Sequence, residues 1–111
     1  MSPASQSDAL RGTVDLLALK ALARGPMHGW GVGQRIGEMS SGLLDVNQGS
    51  LYPALQRMRQ RGWIKAAWDQ TPNNQRARYY TITAAGQKQL GEQQSGFAEL
   101  VVAIERVMRL T

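Results

Sequence analysis

Asn47-Gln48-Gly49-Ser50-Leu51-Tyr52-Pro53-Ala54-Leu55-Gln56-Arg57-Met58-Arg59-Gln60-Arg61-Gly62 runs directly into Trp63-Ile64-Lys65-Ala66-Ala67-Trp68, and the change of pattern at Gly62 decides the fold. In the first stretch Leu51, Leu55 and Met58 keep helical spacing and define an inner face. Pro53 is tolerated only near the start of a helix, so the first turn lies at Asn47 to Ser50, with Asn47 or Ser50 as cap. Gln48, Ser50, Tyr52, Gln56, Arg57, Arg59 and Gln60 then face outward, with groups suited to phosphates and base edges. After Gly62 the period becomes two: Ile64, Ala66 and Trp68 alternate with Trp63, Lys65 and Ala67. Arg78-Tyr79-Tyr80-Thr81-Ile82 is a second strand by its aromatic and β-branched content, and Thr71-Pro72-Asn73-Asn74-Gln75-Arg76 between them is turn chemistry. A helix followed by a hairpin with a polar, basic tip is the expected unit.

Upstream, Val14, Leu17, Ala18, Ala21 and Leu22 form the apolar stripe of an amphipathic helix, with Thr13 as cap and Gly25-Pro26 as its stop. Val32, Ile36 and Met39 keep helical spacing from about Gly29 to Ser40, although Gly29, Gly31, Gly33 and Gly37 each weaken a helix. Those glycines suit the close approach of a neighbouring helix. They do not form a nucleotide loop, because they miss G-x-G-x-x-G and no strand is expected before them. Leu43 to Val46 reads as an extended bridge.

Downstream, Thr83 caps a last helix in which Leu90, Phe97 and Ile104 recur every seven residues. Leu100, Val101, Val107 and Met108 widen that stripe, while Gly91 and Gly96 weaken the middle. The stripe is longer than a small domain can cover, so a second copy of the chain is its expected partner. A break at a glycine, folding the end back on the same chain, is the alternative.

A chain of 111 residues is one domain's worth. The absence of cysteine excludes disulfides, thiolate metal sites and a cysteine nucleophile. No apolar run is long enough for a membrane span, and Met1 to Asp8 lacks the pattern of a secretion signal, so a soluble cytoplasmic protein is expected. Residues 1–9 read as a disordered tail. His28, the single histidine, has no cluster of ligands around it and is read as structural, at the entry of the second helix. No metal, cofactor or catalytic constellation is expected, and therefore no enzyme.

Charge is concentrated where the pattern changes. From Val46 to Gly91 there are seven basic residues and one acid, whereas the remainder has six basic and seven acidic residues. The segment that holds the whole excess is thus the third helix plus the hairpin. Three helices followed by a hairpin is the layout of a winged helix-turn-helix, whose third helix enters the major groove while the hairpin lies over the backbone. Layout and charge agree on duplex DNA as the partner. The assigned contacts are Asn47, Gln48, Gly49, Ser50 and Tyr52 on the helix start, with Arg57, Arg59, Lys65, Arg76 and Arg78 on phosphates. The dimer face is assigned to Leu90, Phe97, Leu100, Val101, Ile104, Val107 and Met108.

Leu10 to Leu17, Gly25-Pro26-Met27-His28-Gly29, Asn47 to Leu55, Arg61-Gly62-Trp63-Ile64 and Arg78 to Gly86 together resemble the PadR family of bacterial transcriptional regulators. The resemblance spans about residues 10 to 110, and Gly49-Ser50-Leu51-Tyr52-Pro53-Ala54-Leu55 is its most specific piece. It implies a mainly helical protein with a small β-hairpin: a winged helix-turn-helix over 10–83 and a dimerisation helix over 84–111. With only one helix after the wing, the chain matches the short type. It further implies a homodimeric repressor released from its operator by an effector held partly by the dimer interface, and twofold symmetry in turn calls for an inverted-repeat operator. Trp30, Trp63 and Trp68 could line a cavity for an aromatic effector, with core packing as the simpler reading. Tyr79 and Tyr80 fall on opposite strand faces, so one packs inward. A winged helix serving protein or RNA interaction is the competing function, distinguished by salt-dependent, sequence-preferring binding to duplex DNA.

Overall fold

The computed structural model describes residues 13–110, so the expected tail over 1–9 lies outside the described residues. Among the described residues, four helices and three strands follow in the order α1 (Val14–Leu22), β1 (Met27–His28), α2 (Gly29–Met39), α3 (Gln48–Gln60), β2 (Ile64–Gln70), β3 (Arg76–Ile82) and α4 (Ala84–Arg109). This is a mainly helical winged-helix fold. Among the described residues no helix is long and apolar enough to cross a membrane.

The stops lie where the sequence puts them. Gly25 takes φ +136° just past α1 and Gly62 takes φ +78° just past α3, conformations that a Cβ would penalise. The end of α1 is further secured by Arg35, whose Nη1 donates to the carbonyls of Ala21 (2.9 Å) and Gly25 (2.8 Å). That guanidinium is a second donor to the Ala21 carbonyl, which also accepts the Arg24 amide at 3.3 Å, and it ties α2 to the end of α1.

One core runs through all elements. Leu19, Leu22, Val32, Leu51, Leu55, Met58 and Ile64 are fully buried, so the inner faces of α1, α2 and α3 meet the base of the hairpin. The glycines of α2 do allow close approach. A Cβ at Gly33 would lie 3.1 Å from Gln48 Nε2 and 3.6 Å from Leu51 Cδ2 of α3.

The sheet holds three antiparallel strands in the order β1-β3-β2, where the sequence pattern indicates two. Met27 pairs with Tyr80 and His28 with Tyr79, so β3 is central and carries both β1 and β2. Tyr80 is the inward tyrosine. Tyr79 is half-buried, donates its hydroxyl to the Gln70 carbonyl at 3.4 Å and packs T-shaped with His28, ring centres 5.4 Å apart. His28 caps α2, its Nδ1 accepting from the Gly31 amide at 3.0 Å. A histidine at this position therefore has a structural task.

Thr83 joins α4 to the wing. Its Oγ1 donates to the Gly62 carbonyl at 2.6 Å and accepts from the Gly86 amide at 3.0 Å, while its own amide donates to the Trp63 carbonyl at 2.9 Å. Gly86 and Leu90 are buried, so the first two turns of α4 belong to the winged-helix core. This corrects the assignment of Leu90 to a dimer face. A seven-residue spacing is shared by a contact inside one chain and a seam between two, and Leu90 serves the former. Beyond it α4 runs unbroken through Gly91 and Gly96, and Phe97, Leu100, Ile104, Val107 and Met108 are exposed, with Val101 half-buried.

Candidate nucleic-acid interface

The start of α3 is built by its cap. Asn47 is extended and its Oδ1 accepts from the Ser50 amide at 2.8 Å, which satisfies one of the helix's free N–H groups and fixes where the helix begins. Gly49, Ser50, Tyr52, Pro53 and Gln56 are exposed from there onward. Pro53 stands inside the helix, in its second turn, where it leaves the Gly49 carbonyl without the usual amide donor four residues on. Gln48 differs from the outward reading. It is half-buried with its amide turned toward Gly33, and its Oε1 is buried without a hydrogen-bond partner. The reason is angular, because Gln48 lies at the edge of the buried stripe of Leu51 and Leu55 and not opposite it.

The wing provides the second wall. Its loop closes with the Thr71 amide donating to the Gln75 carbonyl at 2.7 Å, the Asn74 amide donating to the Thr71 carbonyl at 2.9 Å, and Asn74 in the left-handed region at φ 60°. Asparagine tolerates that backbone better than most residues. Between this loop, α2 and α3 lies an open groove of about 560 Å³ lined by His28, Trp30, Tyr52, Asn73 and Arg78 among others. Tyr52 faces the wing across it.

The assigned basic residues do not form one patch. Arg78 opposes Trp68 and Arg76 opposes Gln70 in the hairpin register, so both arginines share the strand face that carries Ile64 and Ala66 nearer the base. Lys65 opposes Thr81 and lies on the other face of the sheet. Arg57 reaches α1 instead, where Nη2 pairs with Asp15 Oδ1 at 3.0 Å. Arg59 is half-buried and donates from Nε to Gln56 Oε1 at 3.3 Å.

The tryptophans also depart from simple core packing. Trp63 is half-buried against the core, but Trp30 is 56% exposed and Trp68 is 59% exposed. Trp30 projects from the first turn of α2, stacks on His28 with ring centres 6.3 Å apart, and lines the groove. Its exposure was readable, since position 30 falls nearly opposite Val32 on a helical wheel. The wing residues Thr71, Pro72 and Asn73 line the groove as well, and a turn signal alone gave no sign of that.

A helix with a polar, exposed start beside a basic hairpin, on a three-helix core, is the architecture of a winged-helix DNA-binding protein. The PadR-like family of transcriptional regulators matches residues 18–92, and the chain belongs to that family. It is similar to a transcriptional regulator from Clostridium thermocellum with 27% sequence identity and a TM-score of 0.80, over 90% of this chain and 97% of that one. A PadR-like transcriptional regulator from Bacillus cereus shares the fold, with 21% identity and a TM-score of 0.77 over 95% of this chain and 100% of that one. The uncharacterized protein X of Lysinibacillus sphaericus is 25% identical over 103 residues, which is 93% of this chain and 94% of the relative. The chain is a PadR-family transcriptional regulator, with the DNA-binding fold of that family.

Proposed function

We propose that the chain is a cytoplasmic homodimeric repressor that holds an inverted-repeat operator and leaves it when a small aromatic effector binds. The observation that carries this reading is the apolar stripe of α4: Phe97, Leu100, Ile104, Val107 and Met108 are 44% to 73% exposed along one helix, and nothing among the described residues covers them. Large apolar side chains in water forfeit roughly 1.5–3 kcal/mol each relative to burial, and a second α4 related by a twofold axis removes that cost. Twofold symmetry then presents two α3 helices to successive major-groove faces, about 34–36 Å apart. Gly49, Ser50 and Tyr52 meet base edges, Asn47 stands at the cap, and Arg76 and Arg78 meet phosphates.

Arg57, Arg59 and Lys65 contribute to the wider basic surface, outside the groove. An effector lodged beside Phe97 releases DNA only by binding the free dimer better than the DNA-bound one. The test joins sedimentation with footprinting on a site recovered by in vitro selection. A dimer that protects two half-sites one helical turn apart is the expected result, and a monomer at micromolar concentration, or a single protected half-site, overturns it.

A further inference from the structure

Trp68 stands on the wing with more than half of its surface in water, and two guanidinium groups lie close to its ring. The guanidinium carbon of Arg76 lies 5.3 Å from the centre of its ring and that of Arg78 lies 5.9 Å from it, both within cation–π range. The hairpin register creates this triad: Arg78 is directly opposite Trp68, and Arg76, opposite Gln70, is its diagonal neighbour on the same face. Asp69, the acid of this strand, falls on the other face by alternation, and its Oδ1 accepts from the Gln70 amide at 2.8 Å. Two like charges thus share a tip with no carboxylate between them, and the electron-rich face of the indole is the group that offsets their repulsion.

We propose that Trp68 is a positioning residue for DNA binding: its indole holds the guanidinium groups of Arg76 and Arg78 in place for the backbone. A guanidinium laid on an aromatic face keeps its N–H edge free, and that edge is what a phosphate accepts. Long arginine side chains otherwise lose much rotamer freedom on binding, and a ring that orders them beforehand removes part of that loss from the binding step. Trp68 therefore acts through the arginines. The proposal rests on the wing meeting DNA, as in the function proposed above.

The experiment measures affinity of the full chain for a mixed-sequence duplex as a function of salt, because backbone contacts are sequence-independent and set the salt slope. Trp68→Leu keeps bulk and removes the aromatic face; Trp68→Phe restores a face. With no ring to order the two guanidinium groups, Trp68→Leu binds about fivefold more weakly at every salt concentration, with the slope unchanged because both arginines still reach phosphates. Trp68→Phe recovers most of the deficit. In a background of Arg76→Ala with Arg78→Ala, Trp68→Leu has no effect. Wild-type affinity in Trp68→Leu overturns the proposal, as does a deficit that persists without the arginines, since Trp68 would then touch DNA itself. Should the double arginine variant keep wild-type affinity and slope, the wing reading falls and the proposal falls with it. Far-UV circular dichroism and melting of each variant separate these results from misfolding, which the exposure of Trp68 disfavours.

Discussion

Gly29 and Tyr52 touch across the junction of α2 and α3: a Cβ at position 29 would come within 2.7 Å of Tyr52 Cε1 and 3.1 Å of its hydroxyl oxygen. The neighbour is the far end of a side chain, so it can rotate away at little cost to the fold. Gly29→Ala is expected to leave unfolding by denaturant almost unchanged while displacing Tyr52 from the groove and weakening operator binding several-fold. Equal losses in stability and affinity would contradict this separation.

Asn47 caps α3 and, in the proposed function, stands at the edge of the DNA face, and two substitutions divide those tasks. Asn47→Ala loses the bond to the Ser50 amide and is expected to lower stability by about 1 kcal/mol. Asn47→Asp retains a capping oxygen and a favourable charge at the helix start, so stability is kept. On the proposed DNA face its carboxylate would repel phosphates, so DNA affinity is expected to fall more in Asn47→Asp than in Asn47→Ala.

Asp15 restrains Arg57 through a partly exposed ion pair, with side-chain exposures of 18% and 49%. Such pairs contribute roughly 0–1 kcal/mol, so Asp15→Asn is expected to cost less than about 1 kcal/mol in a denaturant titration. Removing the acid also leaves the charge of Arg57 on that basic surface without its carboxylate partner. Binding to mixed-sequence DNA should strengthen and become steeper in salt.

Gly86 has no room for a side chain, because its Cβ would clash with the Trp63 carbonyl and approach Ile82 Cγ1 to 2.7 Å. Here the obstacle is backbone, which cannot swing aside. Gly86→Ala is expected to destabilise by about 1–3 kcal/mol, read as a lower denaturant midpoint with an unchanged slope.

Ile104 is half exposed near the far end of α4, in the middle of the apolar stripe. Ile104→Glu is expected to yield a monomer in sedimentation that keeps the wing's circular dichroism and loses protection of paired half-sites. A dimer that survives this change would remove α4 from the interface.

Elements with several residues in phase were legible from sequence. The stripe of α1, the proline-timed start of α3 and the alternation of β2 and β3 all match the fold, and His28 stands at the entry of α2 as its position in the sequence implies. The two residues of β1 escaped because alternation needs more than Met27 and His28 to show itself, and their pairing is set by β3 from a distance of about 50 residues along the chain. Leu90 was not assignable because a heptad does not say whose side chains fill it. Gln48 was not assignable because a helix edge is neither inside nor outside until the next helix packs on it. The basic residues of the site were legible by type, but their grouping depended on strand register: Arg76 and Arg78 share a face that Lys65 does not.

The rooting of α4 in the core makes it a lever. Its first turns are fixed under the wing by Thr83, Gly86 and Leu90, and the whole helix, 26 residues or roughly 39 Å of stiff rod, runs on from them without a hinge. Head and rod must then turn together. In the proposed twofold pair, a change of about 10° in the angle at which the rods cross moves one head relative to the other by up to roughly 7 Å, which is the rise of about two base pairs. A ligand wedged between the rods can therefore put the two heads out of step with the DNA while leaving every side chain at the DNA surface where it was.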